Sequence, residues 1–344
     1  FLCYLLDDLS DEWHYRPAVG SRWCYEANTT TAGWQIAEEH AVHVPLPGAT
    51  VREMVVATMT ASLDHIGIEI DQMDVWMSEV VTPWFQALGT HLGDGYLFGD
   101  RPSLADFAVF GANGAHFVGD PFCRALVDEH GPAATAHTHR LRTPERHEFG
   151  DWGEPTDVPE TLIAVIAEAG RHYLPWVAEA TVQGSAVVEL ADGVETRIAA
   201  SRFLEWARGV LLARYVELRS DELDGVLEEA GVLSYFVDHL DQASAVPDTA
   251  PLPRPGDNRP YAINRRGEPT MRTLTLKGAY SSPYTLKMRA ELRDRRIPYR
   301  WVLRGSEWDD LPEARVPVIP VLGFHGDDGS VEVMVDSSPQ ITRL

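Results

Sequence analysis

Residues 242–270, QASAVPDTAPLPRPGDNRPYAINRRGEPT, hold six prolines and almost no hydrophobic periodicity. Each proline lacks a backbone N–H and fixes its own φ, so neither a helix nor a central strand can run through such a stretch. It reads as a linker that divides the 344 residues into a long unit, 1–241, and a short one, 271–344.

The two units differ in texture. In 1–241 the apolar spacing is helical, as in VREMVVATMTASLDHIGIEIDQMDVWMSEVVTPWFQAL, where Met54, Thr58, Ala61 and His65 share one face and Met73, Met77 and Val80 another. Core filling is the expected use of those methionines. Further helices are expected in ETLIAVIAEAGRHYLPWVAEA and FLEWARGVLLARYVEL, with one hairpin between them, from alternation at 186–190 and the turn pair Asp192-Gly193. After the linker come short strands: RTLTLK, a helix from Pro283, then YRWVLR, PVIPVLGF and VEVMV around Gly326–Gly329. The expected fold class is α+β, with a helical unit followed by an α/β layer.

Charge narrows the function. Residues 1–270 carry 42 acidic against 18 basic side chains, a surface that repels phosphate backbones and makes nucleic acid an unsuitable partner. No run approaches the roughly 20 apolar residues of a membrane span, and FLCYLL lacks the basic flank of a signal peptide, so a cytoplasmic location without membrane contact is expected. Cys3, Cys24 and Cys123 have neither disulfide nor zinc spacing and are expected as buried thiols. His40 with His43, and His137 with His139, find no partner at a metal-site interval, so no metal is expected.

Three short motifs carry chemistry. Ser282-Pro283 has the form of a helix N-cap followed by Pro at the first helical position. Ser282 either caps only, or sits where a helix N-terminus after a strand stabilises an anion such as a thiolate. Val316-Pro317 precedes an apolar strand, where a cis bond would leave the Val316 backbone free to pair with an extended ligand. In VDSSPQI, Ser337 and Gln340 have capping-box spacing and Asp336 lies at the helix mouth.

In this order and at these intervals the three motifs resemble the thioredoxin-like domain of the glutathione S-transferases. YLFGDRPSLADFAVFG, residues 96–111, resembles the signature of that family's all-α domain, in which Ser103 and Asp106 form a structural capping box. The resemblance covers 271–344 well and 1–120 moderately. It implies an all-α unit at 1–241, a thioredoxin-like unit at 271–344, and glutathione as co-substrate. It puts thiol activation on Ser282, with Ser281 and Tyr280 as neighbours able to take the role. It puts the cysteinyl backbone on Val316 and Pro317, and the γ-glutamyl end on Asp336 and Ser337. Serine where the family's thiol-dependent members have cysteine argues against disulfide exchange or deglutathionylation, since a hydroxyl cannot form a mixed disulfide.

The order of the units is the reverse of the family's. Two origins fit: a circular permutation whose linker joins the old termini, or a window across two tandem copies. The implied activity is addition of a glutathione thiolate to an electrophilic small molecule. A non-catalytic glutathione-binding scaffold and a glutathione-dependent isomerase or dehalogenase are the alternatives, and the family implies a homodimer.

Overall fold

Leu2, Leu5, Leu6 and Leu9 recur at the three- and four-residue intervals that line one side of a helix, and all four are buried in the helix Leu2–Leu9. That helix continues through a π-helical turn, Ser10–His14, into a further helix, Tyr15–Cys24. The same device recurs where Leu104–Ala112 passes into the π-helical turn Asn113–Phe117. Around them Trp13, Trp76, Trp84 and Trp176 are buried in one apolar core, with the rings of Trp13 and Trp76 5.1 Å apart.

The computed structural model describes residues 1–41, 43–147, 149–154, 157–243, 274–314, 318–326, 328–335, 337 and 340. Nearly all of the expected linker lies outside them. Among the described residues no helix is long and apolar enough to cross a membrane.

Met73, Met77 and Val80 are core residues, as their periodicity predicts. The other expected face is not. Met54, Thr58, Ala61 and His65 are all exposed, and Val51 is the buried side chain of the helix Gly48–Ala61. The chain leaves that helix at Ser62 and turns at Gly67 (φ 75°), so His65 does not belong to it. The helix ends at Ser62 (φ −94°), and the left-handed Gly67 closes the short turn Leu63–Ile66 after it, so the apolar spacing runs on past the helix end. Likewise 160–180 is two helices, Glu160–Arg171 and Tyr173–Gln183, with the break just before Pro175.

The expected hairpin is present inside the long unit. β1 (Ser185–Ala191) pairs antiparallel with β2 (Val194–Ala199) through Asp192-Gly193, with Gly193 at φ 74°.

In the short unit, β3 (Leu274–Gly278) leads into the helix Pro283–Asp294, and β4 (Tyr299–Leu303) returns parallel to β3. β5 (Val321–His325) pairs antiparallel with β3, and β6 (Val331–Val335) antiparallel with β5. The strand order is β4-β3-β5-β6. Met288 and Leu292 bury one side of the helix among Leu274, Leu276, Ile297 and Leu322 of the sheet unit. Its other side meets the long unit, where Ala290 packs among Tyr96, Phe107, Phe110 and Leu141. The helix Pro283–Asp294 therefore lies between the sheet and the helical unit, and its first turn lies at their junction.

Candidate functional site

The ladder registers place three chain segments side by side. Lys277 near the end of β3 pairs with Val321 at the start of β5, which pairs with Val335 at the end of β6. The loop 279–282, Pro320 and Ser337 therefore all emerge at the same end of the sheet. Ligands of open α/β sheets gather at the carboxyl ends of parallel strands, and this end carries the carboxyl ends of β3 and β4.

Ser282 is the N-cap of the helix Pro283–Asp294, and its Oγ accepts from the Thr285 N–H at 3.3 Å. Thr285 Oγ1 in turn accepts from the Ala279 N–H at 3.4 Å, which folds the loop onto the helix. Gly278 permits this, because a Cβ there would collide with the Thr285 side chain. The cap uses the oxygen of Ser282 as acceptor and leaves its O–H as a donor. Ser281 differs: its hydroxyl donates to Glu39 Oε2 at 3.3 Å. Tyr280 is 44% exposed, its ring 5.2 Å from that of Trp301, with the Arg289 guanidinium over both rings.

Glu39 and Arg22 reach this loop from the helical unit. Burial raises the pKa of Glu39, while the Ser281 hydroxyl and the backbone N–H groups of Ser281 and Tyr280 act against that rise. Arg22 Nη1 donates to the Ser281 carbonyl at 3.5 Å and forms a buried two-bonded pair with Asp120 at 2.8 and 2.9 Å. Burial raises the Asp120 pKa and Arg22 opposes it. His116 Nδ1 stands 3.9 Å from Asp120, and burial, then Arg22, keeps its ring neutral by pushing its pKa well down.

Ser337 is 2% exposed, and its hydroxyl has no hydrogen-bond partner among the described residues. The expected capping box with Gln340 is not formed. Gln340 Nε2 instead donates to the Pro320 and Met334 carbonyls, at 3.1 and 2.6 Å, because those strand-end acceptors are buried beside it. Val316, Pro317 and Asp336 lie outside the described residues. Among the described residues one cis bond precedes β5, Ile319–Pro320, a different X-Pro step from the expected Val316–Pro317.

No thiol of the chain is prepared as a nucleophile, since burial pushes Cys3, Cys24 and Cys123 up to about 11. Among the described residues no group of three or more His, Cys, Asp or Glu is placed to hold a metal ion. His40 Nδ1 and His43 Nε2 lie 3.3 Å apart, and His137 bonds Asp106 in the core.

Sequence reasoning singled out the loop and passed over Glu39, Arg22 and Asp120. A signal existed for Glu39. Glu38 and Glu39 stand in the last turn of the helix Glu26–His40, where the macrodipole disfavours negative charge, so an acidic residue there has a use elsewhere. Comparison with family models, curated proteins and solved structures finds no match for this chain.

Proposed function

We propose that this protein is a glutathione transferase-like enzyme that adds the thiolate of glutathione to an electrophilic small molecule. The observation that carries the reading is the convergence of the 279–282 loop, Pro320 and Ser337 at one end of a β4-β3-β5-β6 sheet. That strand order, with a helix linking parallel β3 and β4 and an antiparallel pair after it, is the one expected of a thioredoxin-like domain.

Ser282 is the residue assigned to the sulfur. Its O–H is left available by the cap, whereas that of Ser281 is given to Glu39, and it sits beside the positive end of the helix Pro283–Asp294. A hydrogen bond and a helix dipole both favour the thiolate over the thiol, which lowers the thiol pKa and raises the nucleophile's population at neutral pH. The thiol proton leaves to solvent, and sulfur attacks the electrophile as the leaving group or π-bond takes the electron pair. Ser337, buried and unpartnered, is the acceptor or donor for the γ-glutamyl end, with Asp336 beside it in sequence. Val316 and Pro317 keep the cysteinyl-backbone role that the resemblance implies.

One observation favours a second reading, a non-catalytic glutathione-binding scaffold: the Glu39 carboxyl stands against the loop where a sulfur would approach. Calorimetric titration of glutathione, with conjugation of an aryl halide measured in parallel, separates the two. The enzyme reading expects saturable binding and a roughly 100-fold drop in kcat for Ser282→Ala, the scale of losing one aimed donor. Binding without turnover in the wild-type chain supports the scaffold. No binding by the folded chain rules out both.

A further inference from the structure

We infer that the helix Gly48–Ala61 is one half of a contact between two copies of this chain, which pair antiparallel across its exposed seam Thr50, Met54, Ala57 and Ala61.

Little holds this helix in a single copy. It has 14 residues, a length at which an isolated helix is marginal in water. Thr50, Val51, Val55, Val56, Thr58 and Thr60 are β-branched, which lowers helix propensity. Pro47 at the N-cap offers no side-chain acceptor, the first turn has no acidic residue and the last turn no basic one. The inward side packs on the helix Glu26–His40, where the missing Cβ of Gly33 lets Val56 and Arg52 come close. Even so, Val51 is its one fully buried side chain. A helix this poorly favoured by its own sequence depends on packing, and the outward side is the part left to pack.

That side has a pattern. Thr50, Met54, Ala57 and Ala61 recur at the alternating four- and three-residue intervals of a coiled-coil seam, and all four are exposed, Met54 by 56%. The seam carries no charge. Residues 40–63 hold Arg52 and Glu53 as their only Asp, Glu, Lys or Arg side chains, in a chain of net charge −23.

A second copy is the occupant that fits. Two chains of that charge repel wherever their acidic surfaces face each other, and this neutral stretch is where they meet with least repulsion. In a two-fold antiparallel pair Met54 lies against the partner's Ala57, and Thr50 against the partner's Ala61, so the larger side chain meets the smaller at both levels. A parallel pair would instead set Met54 against its own copy and leave alanine facing alanine. A partner recognised by charge finds no charged side chain in the seam. One helix pair is short of the about 1,200–2,000 Å² of a standard interface, so a dissociation constant on the order of 10 µM is expected.

Sedimentation of the whole chain from about 1 to about 300 µM, in low and high salt, tests this. Wild type should pass from monomer to dimer across that range, and salt should strengthen the dimer by screening the repulsion between the two acidic chains. Met54→Glu places a carboxylate on each side of the seam and should raise the dissociation constant roughly 100-fold. Val216→Glu makes an equal charge change on an exposed residue of the helix Arg202–Leu218 and should leave the constant within about twofold. Near-ultraviolet circular dichroism checks that each variant is folded. Independently of any variant, amide exchange across residues 50–61 should slow as the wild-type concentration rises. A wild-type chain that stays monomeric in high salt overturns the inference. So does a folded Met54→Glu that dimerises as wild type does, or a Val216→Glu that weakens the dimer equally.

Discussion

Lys287 Nζ lies 2.6 Å from Asp7 Oδ1, joining two side chains 280 residues apart across the junction of the helical and sheet units. Asp11 completes the triad at 2.7 Å, and Tyr284 donates to the Asp11 carbonyl one turn away. The ammonium is fully buried. A buried cation between two carboxylates adds little over an apolar contact of the same shape, yet removing it is costly because the carboxylates remain.

Lys287→Ala should therefore destabilise the chain by about 3–5 kcal/mol in urea unfolding, well beyond a surface lysine. Burial alone would lower the Lys287 pKa, but Asp11 and Asp7 outweigh it and raise it. For a raised lysine the stabilisation is fully present below the unfolded pKa, about 10.4, and is lost as pH rises through the higher folded value. The stability difference between wild type and Lys287→Ala should therefore show no slope from this group between pH 6 and about 9. A difference that shrinks steeply across neutral pH would show that Lys287 is not held charged.

What the sequence made legible follows the range of each interaction. Ser282-Pro283, the Ser103/Asp106 box and the Asp192-Gly193 turn are local, set by residues within four positions, and all three take the expected form. Long-range partners leave almost no trace: nothing in AEEH or YSSPY says that Glu39 meets Ser281, or that Lys287 meets Asp7. Met54 shows the intermediate case. Its periodicity is real, but one apolar residue on a helix does not say which side the core lies on, and here it lies toward Val51.

Asp106 should prove to be a folding residue. Its carboxylate accepts from the Leu97 N–H at 2.9 Å and His137 Nε2 at 2.9 Å in the core, and from the Ser103 N–H at 2.8 Å and the Ser103 hydroxyl at 2.7 Å at its edge. Asp106→Ala orphans all these donors, so a loss of about 3–5 kcal/mol is expected, against about 1 kcal/mol for an exposed cap. Thermal unfolding with glutathione affinity measured on the folded fraction checks it. A variant that keeps its Tm but loses ligand binding would assign Asp106 to the site instead.

Gly111 sets how closely the two units approach. A Cβ at this position would come within 2.9 Å of the Pro283 carbonyl, backbone that cannot swing aside. Gly111→Ala is expected to cost about 1–3 kcal/mol by forcing the helices Leu104–Ala112 and Pro283–Asp294 apart, despite alanine's better helix propensity. Because Pro283 follows Ser282 directly, the same change should weaken ligand binding more than a distant substitution of equal ΔΔG. Measuring Tm and glutathione affinity together tests both halves, and a stabilised Gly111→Ala would mean the interface is looser than its contacts imply.

Glu291 gives the stability curve an unusual slope. Burial raises its pKa from 4.5 to about 7, only partly opposed by Arg295, and its Oε2 has no hydrogen-bond partner among the described residues. The folded state thus binds a proton that the unfolded state has released between pH 4.5 and about 7, so this group's contribution falls as pH rises through that window. Asp8, buried beside Tyr173 and raised to about 6, acts in the same direction at slightly lower pH. Glutamine mimics the protonated acid. Glu291→Gln should equal wild type near pH 5 and exceed it near pH 8, by up to about 3 kcal/mol for a shift of this size. Urea unfolding of both chains at the two pH values decides it. A variant less stable than wild type at pH 8 would mean that the ionised Glu291–Arg295 pair outweighs its burial.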